Sequence, residues 1–212
     1  MSMKKTAILI DGEFFSIALR HDLKLKRRPN AKEIYEHALR LADFHTEEVW
    51  RIFYYDSRPY IGVQRHPVTH HDISFAHTPM AKAREVFLDD LGQMDLVALR
   101  CGKAHPRGWK LTDAYLRQIG QGQMRPPLAE DYELRFEQKG VDMRIGIDVA
   151  TLSLNRYVDR IIVVTNDTDL IPALKVARRC GIQVVIAQIG SFNPHHDLVE
   201  DADFRRHYAV AA

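Results

Sequence analysis

With 212 residues, 46% hydrophobic and 27% charged, the chain fits one globular α/β domain with a sizeable core and leaves little room for a second. A net charge of +2 argues against nucleic-acid binding through bulk charge alone. The two cysteines, Cys101 and Cys180, lack metal-ligand spacing and argue against a disulfide framework. No stretch approaches the ~20 apolar residues that span a bilayer. The N-terminal "MSMKKTAILIDGEFF" is interrupted by Asp11 and lacks a small-residue cleavage site, so a cytoplasmic protein is expected.

Taken in order, Thr6–Gly12 ("TAILIDG") reads as a buried first strand that ends in an acid. Ile34, Ala38 and Leu41 fall on one face of a helix over residues 31–45, and residues 49–57 ("VWRIFYYDS") read as a second strand. Residues 58–79 show little periodicity. A helix over 80–94 and a third strand over 96–104 follow. Residues 105–131, rich in Gly, Pro and Gln, read as irregular surface. "YELRFEQKG" alternates through Leu134 and Phe136 as a strand near an edge, and 141–157 read as a helix with Gly146 a mild cost inside it. Ile161–Val164 form a continuous apolar strand that runs into Thr165-Asn166-Asp167 and a helix over 169–179. A last strand over 182–190 precedes a tail, read as a loop ending in a short helix. This alternation implies an α/β fold with a mostly parallel sheet covered on both faces, Rossmann-like in the broad sense.

The acids carry the chemistry. Asp11 and Asp167 each end a parallel strand, so both belong to the rim where open α/β sheets keep their sites. Asp167 and Asp169 could cap or charge-stabilise the following helix, but two acids one residue apart prompt a search for partners. Asp142 starts the helix after "EQKG", and Asp148 lies further in. The turn "DGEFFS" holds one glycine and an acid, which does not suit a pyrophosphate. An aspartyl-phosphate mechanism wants a second aspartate two residues after Asp11, where Glu13 stands. Clustered carboxylates raise one another's proton affinity unless a cation neutralises them. Mg²⁺ or Mn²⁺ suits an all-oxygen set, and such ions polarise phosphodiesters and lower the pKa of an attacking water. At ~100° per residue, positions six apart differ by about 240° on a helix. Either Asp142 therefore lies at the N-cap or only one of Asp142 and Asp148 reaches a metal. Asp142 has an alternative role in meeting the helix dipole. Asp148 lies in the apolar "IGIDVATLSL", where an unpaired acid is costly, so chemistry alone ranks it above Asp142.

At "ILIDGEFF", "KGVDMRIGIDVATL" and "YVDRIIVVTNDTDLIPALKVARRCGIQVVIA" the chain resembles the NYN domain, in its LabA-like branch, a member of the PIN-like nuclease group. The resemblance runs from Thr6 to Gln188 in motif order. It implies a single domain over 1–212, with a loosely matching middle at 58–130 and a tail from about 190. It also implies a PIN-type three-layer fold whose acidic rim binds Mg²⁺ or Mn²⁺ and cleaves RNA. Carried over by position, the catalytic acids are Asp11, Asp142, Asp148, Asp167 and Asp169, with Asp11, Asp148, Asp167 and Asp169 holding metal. Two departures stand out: Glu13 or Phe14 occupies the place of the family's Asn, and Asn166 stands where Gly is usual. Glu13 adds a ligand or is solvated, and Asn166 positions the adjacent acid by hydrogen bonds.

Lys24, Lys26, Arg27 and Arg28 form a basic run that either grips RNA phosphates or faces water. Lys103, Arg107 and Lys110 interleave with Trp109, which either stacks on bases or anchors its loop. Lys139 and Arg144 flank the acids and either contact phosphate or pair with a carboxylate. His66, His70, His71 and His77 do not match tetrahedral zinc spacing and read as surface or substrate-side groups, and His195 and His196 are ambiguous. The expectation is a metal-dependent ribonuclease, with no membrane partner; the alternative is a non-catalytic regulator binding RNA, a nucleotide or a protein on the same rim. "YELRFEQ" offers an edge for pairing with a second copy.

Overall fold

A computed structural model describes residues 3–210. In chain order, β1 (Lys4–Asp11) leads into α1 (Gly12–Asp22), α2 (Ala31–Leu39) and β2 (Glu47–Arg58), followed by the short strands β3 (Val63–Arg65) and β4 (Asp72–Ser74). Next come α3 (Pro79–Gly92), β5 (Val97–Leu111), α4 (Asp113–Gly120), β6 (Tyr132–Lys139) and α5 (Val141–Leu154). The chain closes with β7 (Arg160–Val164), α6 (Ile171–Arg179), β8 (Gln183–Ile189), α7 (His196–Glu200) and β9 (Phe204–Tyr208). The hydrogen-bonded strand order is β6-β5-β2-β1-β7-β8-β9. β1 runs parallel to both β2 and β7, and β8 is parallel to β7 and β9; β5 and β6 are antiparallel. The fold is thus α/β with a mostly parallel sheet, as the strand–helix alternation implies.

Two compact units share the chain. The larger comprises the residues up to Asp56, Phe87–Gly102 and those from Gly140 onward. The central runs of β1, β7 and β8 are apolar because both faces are covered. Ile8, Ile10, Ile52, Ile162 and Val164 pack with Phe15, Leu19, Ile34 and Leu41 from α1, α2 and the residues after it. Ala7, Leu9, Phe53, Ile161 and Val163 pack with Ile145, Val149 and Leu152 of α5 and Leu174 and Ala177 of α6. Helix starts follow local chemistry: Asn30 and Glu33 form a reciprocal capping box at α2, and Pro172 sits in the first turn of α6.

The smaller unit comprises Ser57–Val86 and Lys103–Lys139. Here the structure corrects the sequence reading. Residues 63–74 hold the β3/β4 hairpin rather than unpatterned loop. β5 does not stop near residue 104 but continues to Leu111, paired with β6. Pro106 and Gly108 are accommodated because the pairing register slips between Pro106 and Trp109, and Gly108 takes φ +93° there. Thr112 then caps α4 by accepting from the Tyr115 N–H, so 113–120 is helical and not irregular. The tail is also reversed: helix α7 comes first, and residues 204–208 form a strand parallel to β8. Residues 211–212, the end of that tail, lie outside the described residues.

Candidate functional site

Asp11 is the last residue of β1 and the N-cap of α1, its Oδ1 accepting from the N–H groups of Glu13 (3.1 Å) and Phe14 (3.2 Å). Pairing fixes its surroundings. Asp11 lies opposite Tyr55 on β2, and Ile10 lies opposite Val164 on β7. Since the three strands are parallel, Asp11, Asp56 and the Thr165–Asp169 segment share one rim. Gly12 is required by close approach: a Cβ there would sit 2.5 Å from Tyr54 Cζ, whose hydroxyl donates to the Gly12 carbonyl (3.2 Å). The glycine of "DGE" serves packing beneath the acid, not a phosphate.

Beyond β7, the Thr165 hydroxyl accepts from Asp167 N–H (3.0 Å), and Asp167 Oδ1 accepts from Asp169 N–H (2.9 Å), capping a 3₁₀ turn over Thr168–Leu170. Asn166 Oδ1 accepts from His195 N–H (2.7 Å), which ties the segment to the start of α7 rather than to a neighbouring acid. Asp142 enters from α5, in its first turn after Gly140, which takes φ +76°. Asp142 is therefore helical, one residue past the first helical position and not the N-cap.

Electrostatics show which acids feel one another. Burial pushes the Asp11 carboxyl up to about 6, and the charges of Asp142 and Asp56 add to that against its two N–H bonds. Asp142 is also raised, first by burial and then by Asp167 and Asp169. The charges acting on Asp11 and Asp142 thus link four of the five predicted acids, with Asp56 as an additional member. Asp56 was missed by the sequence reading, although it follows the apolar run Ile52–Tyr55 as Asp11 follows Ala7–Ile10; the same signal would have found it. It is almost wholly buried.

Asp148 is placed differently. Its Oδ2 accepts from the Tyr55 hydroxyl (2.9 Å) and from Arg100 Nε (2.9 Å), and Arg100 lies over the Phe53 ring. Burial, then Asp148, pushes the Tyr55 phenol upward, keeping it a neutral donor. The apolar setting of Asp148 is thus met by an ion pair and a phenol, while Asp142 is the helix acid on which the charges of Asp167 and Asp169 act.

The basic candidates are similarly sorted. Arg28 forms a two-pronged pair with Glu13 (3.0 Å each), and Arg27 forms one with Glu33 (2.7 Å each). Glu13 is consequently engaged by an arginine in a solvent-exposed ion pair. Lys24 and Lys26 are exposed. Arg144 donates to the Gly140 carbonyl (2.7 Å). Trp109 lies on a strand, not a loop; its indole donates to Arg65 O (2.9 Å) and packs on His66 at 4.6 Å between centroids. His66 is buried, its Nδ1 accepting from Val68 and Thr69 N–H while Nε2 donates to Ala129 O, so it is a packed structural histidine.

Whether a divalent ion fits rests on the donor set. The rim acids offer carboxylate oxygens, hard donors suited to Mg²⁺ or Mn²⁺. Asp11 and Asp142 are both raised, first by burial and then by neighbouring carboxylates, and a cation would relieve the second contribution. Among the described residues, the one group of three ligand atoms within 4.8 Å of one another is instead His196, Asp197 and Glu200, all exposed on α7. That does not exclude the rim, because Mg²⁺ keeps several waters and is bound through one or two carboxylates. The residues fit such an ion.

A model of the NYN domain matches residues 101–208, about half of the chain. The matched segment contains Asp142, Asp148, Asp167 and Asp169 and begins beyond Asp11. No curated protein matches the chain. Among solved structures, the chain is similar to a crystal structure of a protein of unknown function from Vibrio parahaemolyticus, with 16% identity and a TM-score of 0.50 over 97% of this chain and 93% of that one. That likeness speaks to the fold alone. Among the described residues, no helix is long and apolar enough to cross a membrane. With the NYN match spanning the segment that supplies four of the five predicted acids, the chain belongs to the NYN-domain family, within the PIN-like nuclease group.

Proposed function

We propose that the chain is a Mg²⁺- or Mn²⁺-dependent endoribonuclease of the LabA-like branch that hydrolyses RNA phosphodiester bonds at the Asp11–Asp142–Asp167–Asp169 rim. The carrying observation is the parallel register that puts Asp11 and the segment after Val164 on one rim, where the charges of Asp142, Asp167 and Asp169 help to raise Asp11 and Asp142. Asp11 and Asp167 would hold the ion, with Asp142 and Asp169 as further rim carboxylates and Asp56 adding its charge to the field at Asp11. When bound, the ion supplies Lewis-acid polarisation of the phosphodiester and a lower pKa for the attacking water. The chain's own part is to hold the acids in place. Two N–H groups fix Asp11 Oδ1 and one fixes Asp167 Oδ1, the kind of outer contact that orients carboxylate ligands. In the reaction a water oxygen bonds to phosphorus, the P–O bond to the leaving nucleotide breaks, and the water's proton is passed on to that leaving oxygen. Asp148 is assigned to anchoring α5 through Tyr55 and Arg100 rather than to the ion.

The test is Mn²⁺-dependent cleavage of labelled single-stranded RNA by Asp11→Asn and Asp167→Asn. Each should lose at least ~100-fold in rate, the scale of losing a key electrostatic group, while remaining folded. Undiminished activity in both variants ends this reading. The scarcity of close ligand triples on the rim favours one alternative, a regulator that binds RNA, a nucleotide or a protein there without turnover. RNA binding with no metal-stimulated cleavage across several RNAs would select it.

A further inference from the structure

We infer that the outward face of the β5–β6 ribbon is a binding surface for the phosphate backbone of single-stranded RNA; the choice of ligand rests on the ribonuclease reading above. Directly opposed residues in an antiparallel pair share a face, and alternate residues along each strand do too. The pairs Lys103–Lys139, His105–Glu137 and Lys110–Glu133 therefore lie on one face, and Arg135, two residues from both Glu133 and Glu137, lies there as well. Apart from half-buried Glu137, every one of these residues is exposed. The opposite face carries buried Leu134 and also Trp109 and Phe136, whose rings pack within the smaller unit against His66, Tyr60 and Phe75. The ribbon is thus anchored on one side and charged on the other.

Its charge is uneven. Arg107 pairs with Glu137, and Lys110 pairs with Glu133 at 2.9 Å. Lys103, Arg135 and Lys139 have no carboxylate partner among the described residues. Lys103 stands directly across from Lys139, an arrangement of like charges that destabilises a sheet and gains nothing for the fold. Arg135 lies four residues from Lys139, ~13 Å along the strand, so the uncompensated cations form a row rather than a point. The basic run at residues 24–28 makes the weaker case, since Glu33 and Glu13 already engage two of its four cations. With Trp109 turned to the packed face and bonded to Arg65, the charged face offers cations without a stacking ring. Such a surface grips backbone phosphates and reads no base. Lys139 also precedes Asp142 by three residues in the chain, so the row ends close in sequence to a rim acid.

The experiment is fluorescence anisotropy of labelled oligouridylate and oligoadenylate in EDTA, across a salt series, with the full chain. The variant Lys103→Glu, Arg135→Glu, Lys139→Glu should weaken binding of both oligomers about tenfold or more and reduce the slope of log affinity on log salt by about 2, the loss of three phosphate contacts on single strands. A matching triple Gln variant guards against misfolding by charge reversal, and circular dichroism should leave both unchanged. Lys24→Glu, Lys26→Glu should stay within about twofold of the unmodified chain. Affinity and slope unchanged in both triple variants, an equal loss in the Lys24/Lys26 variant, or no RNA binding by the unmodified chain would each overturn the inference. Because binding is read without divalent metal, a chain that binds through the ribbon but fails to cleave would sink the nuclease reading and spare this one.

Discussion

Glu47 has no exposed surface, yet it is held ionised by Arg160 and Arg206 and by the Asp43 N–H (2.7 Å). Burial by itself would raise its carboxyl; the hydrogen bonds from Arg206 and Arg160 outweigh burial and hold it at about 2. A depressed acid contributes stability that is present above its unfolded value and lost as pH falls. The window here therefore runs from near 4.5 down to about 2. Urea melts should show stability falling through that range, and Glu47→Gln should flatten the fall. The same variant should cost about 3 kcal/mol at neutral pH, because two arginines lose their buried counter-ion. Little change in either quantity would mean the cluster is electrostatically idle. Gly12 makes a second residue-scale case. Gly12→Ala drives a Cβ into the buried Tyr54 ring and should cost about 1–3 kcal/mol, with near-ultraviolet circular dichroism reporting the displaced tyrosine. Neither role is visible in the sequence, where Glu47 looks like an ordinary charged residue after a helix and Gly12 like a turn.

At the scale of elements, α5 divides its two acids between two tasks. Asp142 in the first turn meets Asp167 and Asp169, while Asp148 fastens the helix to β2 through Tyr55 and to β5 through Arg100. Asp148→Ala should lower stability by about 1–3 kcal/mol, because a buried phenol loses its acceptor, yet keep Mn²⁺ binding measurable by titration. Asp142→Ala should do the reverse. If Asp148→Ala abolished Mn²⁺ binding at unchanged stability, Asp148 would be a ligand as the sequence pattern suggested. Helical periodicity made plain that the two acids diverge; which one faces the rim depended on Arg100, 48 residues away. β5 illustrates the other limit. Pro106 and Gly108 spoil a local strand pattern, and only the bulged pairing with β6 explains why the strand survives them.

For the whole molecule, the rim acids all belong to the larger unit. An ion that binds the folded state alone stabilises it by about 2.7 kcal/mol at a hundredfold excess over Kd, about 5–10 °C for a chain of this size. Adding Mn²⁺ should raise the thermal midpoint by that order, and Asp167→Asn should remove the rise. An equal rise in that variant would place the ion elsewhere, with the exposed His196–Asp197–Glu200 group the next place to look. The mostly parallel sheet makes this coupling physical, since the acids converge only once β1, β2 and β7 are side by side.

What the sequence determined by itself was the alternation of buried strands with helices, and the positions of acids at strand ends. Both are local: an apolar run and the polar residue that stops it are neighbours along the chain. The tertiary structure decided which acids share a field, that Asp56 joins them, that Asp148 and Glu13 are engaged by arginines, and that Trp109 packs rather than faces outward. Those outcomes depend on partners tens of residues distant, and a side chain's charge environment is set by what folding brings beside it, not by what precedes it in the chain.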